Sequence, residues 1–188
     1  MSLGTDIVRR RFTLDEYHRK VDAGVLHEDD RVELIRGEIV QMSPIGSRHP
    51  AAVARFTDEL AGRLRRRAIL WPQNPVTILP DSEPQPDIVL LHYRDDFYKA
   101  ALPGPADVAL IVELADSSAS YDRTVKKALY AEAGIAEYWL VNLAADRIEV
   151  YRDPQDGDYR HATIVGREDR LAPAAFPDVV LSVADILG

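Results

Sequence analysis

The spacing of apolar positions changes along the chain, and each change predicts an element. Phe12 to Ala23, "FTLDEYHRKVDA", reads as a short helix, with Thr13 as N-cap and Glu16 three residues on in a capping-box pattern. "RVELI-RG-EIVQM" is two apolar-rich segments around Arg36-Gly37, which predicts a β-hairpin with a tight glycine turn. Ser43-Pro44 to Ser47 reads as a loop, and Ser47 can then cap a long helix reaching about Arg67. On that helix Val53, Phe56, Leu60 and Leu64 form one stripe. His49 lies on the same line one turn earlier and so points inward, whereas Asp58 and Glu59 point elsewhere.

From Trp71 the texture turns to short strands. "PVTILP", "PDIVLL", "VALIVEL", "EYWLVN", "RIEVYR" and "RHATIV" are the candidates, separated by Pro80-Asp81, Pro103-Gly104-Pro105 and Asp153-Pro154. One helix interrupts them, from about Ala119 to Ala133, with Gly134 as its stop. The final "FPDVVLSVADILG" reads as a short strand and a turn of helix capped by Ser182. There is no repeat, low-complexity tract or long linker. The order of hairpin, helix, strands, helix, strands predicts one mixed α/β domain over residues 1–188.

Within this pattern two carboxylates are out of place. "ALIVELADSS" runs four apolar residues straight into Glu113, in a strand without alternation and therefore covered on both faces. Asp87 opens a similar strand in "QPDIVLL". If these strands are antiparallel neighbours, the start of one lies beside the end of the other, and the two carboxylates share a sheet edge. Close carboxylates repel unless a proton or cation lies between them. Oxygen donors without cysteine imply a hard ion, Mg²⁺ or Mn²⁺.

The helix after Glu113 adds a cation. Counting about 100° per residue from Tyr121, Val125, Leu129, Ala133 and Ala128 lie at about 40°, 80°, 120° and 340°, and form the buried stripe. Asp122 and Lys126, at about 100° and 140°, fall on the stripe and its flank, whereas Lys127 at about 240° faces water. Lys126 is therefore the inward lysine, with Asp122 four residues earlier in reach of it.

Composition narrows the function classes. A chain of 188 residues can bury a sizeable core. It has no cysteine, which excludes disulfides and thiolate metal sites and is compatible with a cytoplasmic location. No apolar run approaches the roughly 20 residues of a spanning helix. "MSLGTDIVRRRF" has no apolar segment after its arginines and is not a secretory signal. The net charge of −8 argues against broad nonspecific nucleic-acid binding, but leaves room for a local basic groove.

"Pro86-Asp87 … Glu113-x-Ala115" resembles the signature of the PD-(D/E)XK nucleases, the restriction-endonuclease-like superfamily. A wider and more specific pattern runs from about Phe12 to the C-terminus: "RVELIRGEIVQMSP…RHP", "QPDIVLL", "LIVEL…S" and "D…K…YAEAGIAEYWLVN…RIEVYR". It resembles a bacterial family assigned as restriction-type endonucleases (Uma-two-like, formerly a domain of unknown function). The resemblance implies a restriction-endonuclease-like core, a mixed β-sheet flanked by helices with an N-terminal β-hairpin. It also implies Mg²⁺-dependent phosphodiester hydrolysis, with Asp87, Glu113 and the Leu114 carbonyl holding the metal and Lys126 orienting or activating water. The superfamily lysine would stand at Ala115; in the narrower family it sits on the next helix, at a position matching Lys126. Asp116 and Ser117 stand where the family more often has Ser and Pro. Glu33 and Glu38, on either side of the hairpin turn, match family glutamates, and Glu33 is the better placed to face the site.

Each residue also has a plainer reading. Asp87 can be a strand-start residue bonded to nearby backbone N–H groups. Glu113 and Lys126 can form a structural buried pair. His49 can be a hydrogen-bonded helix-start histidine, and Asp122 a helix partner of Lys126. Tyr138 and Trp139 read as core, and Arg63, Arg65, Arg66 and Arg67 as a solvated helix end. The expectation is thus a metal-dependent nuclease acting on DNA as a homodimer, away from membranes. Its specificity would come from loops such as 92–108. The rivals are a non-catalytic binding protein that keeps the fold and a hydrolase of a small phosphoester.

Overall fold

A computed structural model describes residues 9–42 and 46–188. The expected loop at Ser43-Pro44 lies outside the described residues. The chain contains two compact units, one from the N-terminal segment through Met42 together with Ile78–Pro84, the other from Ser43–Thr77 and Gln85–Gly188.

The first unit holds α1 (Leu14–Asp22) and the hairpin of β1 (Val32–Ile35) and β2 (Glu38–Gln41). The capping box forms as the sequence requires: the Glu16 N–H donates to the Thr13 hydroxyl at 3.3 Å, and the Thr13 N–H to the Glu16 carboxylate at 3.1 Å. Leu14 and Tyr17 pack on Leu34 of the hairpin. The turn residues Arg36 and Gly37 both have positive φ, 50° and 76°, as a two-residue hairpin turn matched to strand twist demands. A Cβ on Gly37 would come within 2.6 Å of the Arg11 Cβ and 2.9 Å of the Phe12 carbonyl oxygen, so only glycine fits there.

"PVTILP" is not a strand. Pro75 and Pro80 remove ladder donors, and only an isolated bridge between Ile78 and Ser82 forms within the segment.

The second unit is built on a six-stranded sheet in the order β3-β4-β5-β6-β7-β8. These are β3 (Ala68–Pro72), β4 (Ile88–His92), β5 (Val108–Ala115), β6 (Glu137–Asn142), β7 (Arg147–Gln155) and β8 (Asp158–Gly166). Only β5 and β6 are parallel, as their helical crossover requires. All eight residues of β5 are buried, matching its unbroken apolar run.

α2 (Arg48–Ala61) packs Ala52, Val53, Phe56 and Leu60 into a core with Ile88, Leu90, Leu110, Val112, Leu114 and Trp139. It ends before Arg67: Gly62 is its C-cap, and the chain turns there into β3, a strand absent from the sequence expectation. Ser47 makes no side-chain cap hydrogen bond among the described residues. Its backbone is already helical (φ −62°, ψ −23°), and Pro50 at the third helical position has no N–H to give. At the C-terminus β10 (Leu181–Ser182) pairs with β9 (Arg170–Leu171) and leads into α5 (Val183–Leu187).

The crossover is α3 (Ala119–Tyr121), a π-helical segment (Asp122–Lys126) and α4 (Lys127–Glu132), closed at Gly134 with φ 76°. Behind it four tyrosines pack together; Tyr138 meets Tyr130 with ring centroids 5.3 Å apart and Tyr151 at 5.7 Å. Beside them Glu149 of β7 receives both arms of the Arg123 guanidinium (2.8 and 2.7 Å) and the Tyr151 hydroxyl at 2.7 Å.

The hydrogen bonds from Arg123, outweighing desolvation and helped by Tyr151 and Arg147, pull the Glu149 carboxyl from its ordinary 4.5 down to about 2. A depressed carboxyl stabilises the fold above the unfolded-state value and loses that effect as pH falls toward the folded one. Stability should therefore drop between about pH 4.5 and 2. The arginines are partly exposed, so screening holds the contribution to about 2 kcal/mol. Glu149→Gln should remove this component and flatten the acid limb of a urea-denaturation series; parallel wild-type and variant limbs would count against it.

Candidate active site

The strand register places the two unusual carboxylates together. β4 and β5 are antiparallel with Ile88 opposite Val112, so one step further along the pair Asp87 comes level with Glu113. The peptide after Glu113 closes the gap: the Leu114 N–H donates to Asp87 Oδ2 at 2.8 Å. β4 begins only at Ile88, and the Asp87 carboxylate takes a donor of β5 beyond that point. The other Asp87 oxygen, Oδ1, lies 2.9 Å from Nε2 of His49, one turn before Val53 on the buried face of α2. Both side chains are almost fully buried, at 8% and 7% exposure for Asp87 and His49.

Glu113 is 4% exposed, so its charge requires partners. Two donors meet on Oε1: Lys126 Nζ donates at 3.1 Å and the Tyr130 hydroxyl at 2.7 Å. Lys126 is 5% exposed, whereas Lys127 reaches outward to Asp158 at 2.8 Å. Asp122 is buried as well. Its carboxylate accepts from the Ser118 hydroxyl and its carbonyl from the Tyr138 hydroxyl at 3.3 Å. Burial, and after it the charges of Glu113 and Asp122, push the Tyr138 phenol well above its usual range, so it stays a neutral donor.

Two clusters therefore meet at the edge of β4 and β5. Asp87 joins His49 to Leu114, and Glu113 joins Lys126 to Tyr130. Glu33 belongs to the first unit, where it is buried on β1, while Glu38 is exposed on β2.

Tyr130 is the participant that sequence reasoning missed. On a regular helix counted from Tyr121 it lies at about 180°, off the buried stripe. The π-helical segment adds one residue to a turn and rotates everything after it back by about 100°. This carries Tyr130 onto the face of Lys126.

Among the described residues, no three His, Cys, Asp or Glu side chains converge into a metal-holding group. Mg²⁺ does not need such a cage: it takes one or two carboxylates and keeps several waters. Two carboxylates joined through the Leu114 peptide are hard oxygen donors, and this chemistry fits the ion.

Comparisons with known proteins agree with this architecture. Residues 14–184 match the Uma2 family, described as "Putative restriction endonuclease". A solved structure described as "a putative nuclease belonging to DUF820", from Anabaena variabilis ATCC 29413, superposes with a TM-score of 0.72 at 19% identity. The match covers 94% of this chain and 97% of the other, and shows the same fold. No curated protein matches.

The geometry around Glu113 predicts unequal costs. Tyr130→Phe keeps the ring and removes one donor, for about 1–3 kcal/mol of stability. Lys126→Met leaves a buried carboxylate without its cation, for about 3–5 kcal/mol. Because both groups bind one oxygen, the double variant should depart from additivity by more than about 0.5 kcal/mol in urea denaturation. Strict additivity would mean that the two donors act on Glu113 independently.

Proposed function

The chain belongs to the Uma2 family, and from that premise we propose that it is a metal-dependent endonuclease hydrolysing DNA phosphodiester bonds at the edge of β4 and β5. The observation that carries the reading is the junction of Asp87 and Glu113 through the Leu114 peptide, with Lys126 on Glu113. In this reading Asp87, Glu113 and the Leu114 carbonyl hold Mg²⁺ or Mn²⁺. When bound, the ion supplies Lewis acidity toward a phosphoryl oxygen and makes water more acidic.

The remaining chemistry belongs to the chain. Water adds to phosphorus and one P–O ester bond breaks, giving a phosphomonoester and a free hydroxyl. Lys126 Nζ would stabilise negative charge developing on the phosphoryl oxygens or orient the attacking water. His49 fixes the Asp87 carboxylate from one side and the Leu114 N–H from the other, so the ligand is held before substrate arrives. Tyr130 does the same for Glu113. Asp122 fixes the start of the helical segment that carries Lys126. Cutting both strands of a duplex requires two such sites, which a homodimer would provide. No helix among the described residues is long and apolar enough to cross a membrane.

Mn²⁺ titration of wild type and Asp87→Asn, with and without a short duplex, tests the reading. Wild type should bind close to one ion per chain, more tightly with DNA, and Asp87→Asn should lose at least about tenfold in affinity. Lys126→Ala, if folded, should bind the ion yet lose about 100-fold or more in plasmid nicking. If the ion binds neither protein even with DNA present, Glu113 and Lys126 are a structural pair and the protein is a non-catalytic holder of the fold. If the ion binds and a small phosphodiester is cleaved in preference to duplex, the substrate is a small phosphoester.

A further inference from the structure

A polar cleft of about 420 Å³ opens in the second unit, lined by Ser47, Arg48, Arg55, Asp146 and Arg167 among others. It adjoins the site through two hydrogen bonds. The Leu143 N–H donates to the carbonyl of Ala115, two residues past Glu113, at 2.9 Å. The Leu143 carbonyl in turn accepts from Arg48 Nη2 at 2.7 Å. Arg48 itself precedes His49, the partner of Asp87. The cleft thus starts where β5 ends.

Its charge is unlike that of the chain as a whole. Three guanidiniums face one carboxylate, Asp146, which lies 3.5 Å from Arg167. Over the lining side chains the excess is two positive charges, on a protein of net charge −8. An acidic chain that binds a polyanion needs such a local concentration of cations to offset long-range repulsion.

Each of the three arginines holds a backbone carbonyl, Arg48 that of Leu143, and each keeps further N–H donors. Arg55 and Arg167 donate to the carbonyls of Leu187 (2.7 Å) and Gly188 (2.9 Å), and so help hold the C-terminal turn. Arg48 is exposed and occupies the first position of α2, where the helix dipole disfavours a cation. A guanidinium carries five N–H donors in a planar fork suited to phosphate, and the carbonyl bonds engage only one or two of them.

On the nuclease reading above, we propose that this cleft is the phosphate-backbone clamp of the nucleic-acid substrate. Arg48, Arg55 and Arg167 would hold phosphates flanking the scissile group, with Arg48 nearest to it. Contacts of this kind carry no base information, so the clamp sets position and affinity rather than sequence preference.

The test is fluorescence anisotropy of a labelled 16-base-pair duplex with the full chain in EDTA, across a series of salt concentrations. The variants are Arg48→Gln, Arg167→Gln and their double, with thermal melts of each. Arg65→Gln/Arg66→Gln, beyond the far end of α2 and about 20 Å away, serves as control. Each cleft substitution should weaken binding several-fold at about 0.1 M salt and reduce the salt slope by about 0.9. The control should do neither. Arg48→Lys, which keeps the charge, should restore most of the slope; a purely structural role would not respond in this way. Binding with an unchanged slope in a folded Arg48→Gln variant overturns the clamp and leaves the nuclease reading standing. Failure of the wild type to bind duplex at any salt, both in EDTA and with Ca²⁺ in its place, overturns both.

Discussion

An ionised carboxylate inside a fully covered strand must be met by donors, and much of the second unit is arranged around meeting Glu113. β5 is buried over its whole length, so water cannot do it. The donors come instead from the segment that carries the chain from β5 to the parallel strand β6. Lys126 and Tyr130 converge on a single oxygen of Glu113, and Tyr130 is fixed from behind by the stacked tyrosines of β6, β7 and β8. The crossover helix is thereby tied to the sheet by a polar contact as well as by apolar packing. Losing one of those donors would expose the other's geometry as well as the charge.

Much of this was legible in the sequence because period and chemistry agreed. The unbroken run of β5, the glycine turn at Arg36-Gly37, the capping box at Thr13 and the stripe from His49 to Leu64 each follow from a single local rule, and each stands in the structure. The closeness of Asp87 and Glu113 followed from strand direction alone. Three features did not follow, for different reasons. β3 is a short apolar stretch directly after a helix and carries no punctuation of its own except Gly62. "PVTILP" has strand-like residues between two prolines, and the missing donors outweigh the propensity. Tyr130 was hidden because a helical wheel assumes constant rotation per residue, which the π-helical segment breaks. Lys126 was found by the same wheel because it lies within the segment, before the full rotation has accumulated.

The family and the fold are a restriction-endonuclease-type assignment, and the chain differs from the superfamily signature at one informative place. Ala115 occupies the position from which a lysine would project off the strand. Lys126, thirteen residues from Glu113 in sequence, reaches its carboxylate from the crossover at 3.1 Å. β5 carries the carboxylate and its peptide, and the crossover carries the ammonium and the phenol that meet it. Separating them lets the strand keep small apolar Ala115 in the core, where it is fully buried.

The π-helical turn has a consequence for how this chain can vary. A π turn amounts to one residue more than the same helix would hold in regular form. Trimming a single residue between Asp122 and Lys126 would leave Glu113, Lys126 and Tyr130 chemically intact, yet the helix would relax to the regular repeat and turn α4 away from β5. Insertions and deletions are usually tolerated in loops and poorly tolerated in strands. In this crossover the frame of the helix is as strict as the register of a strand, so related chains should change this segment by substitution while its length stays fixed.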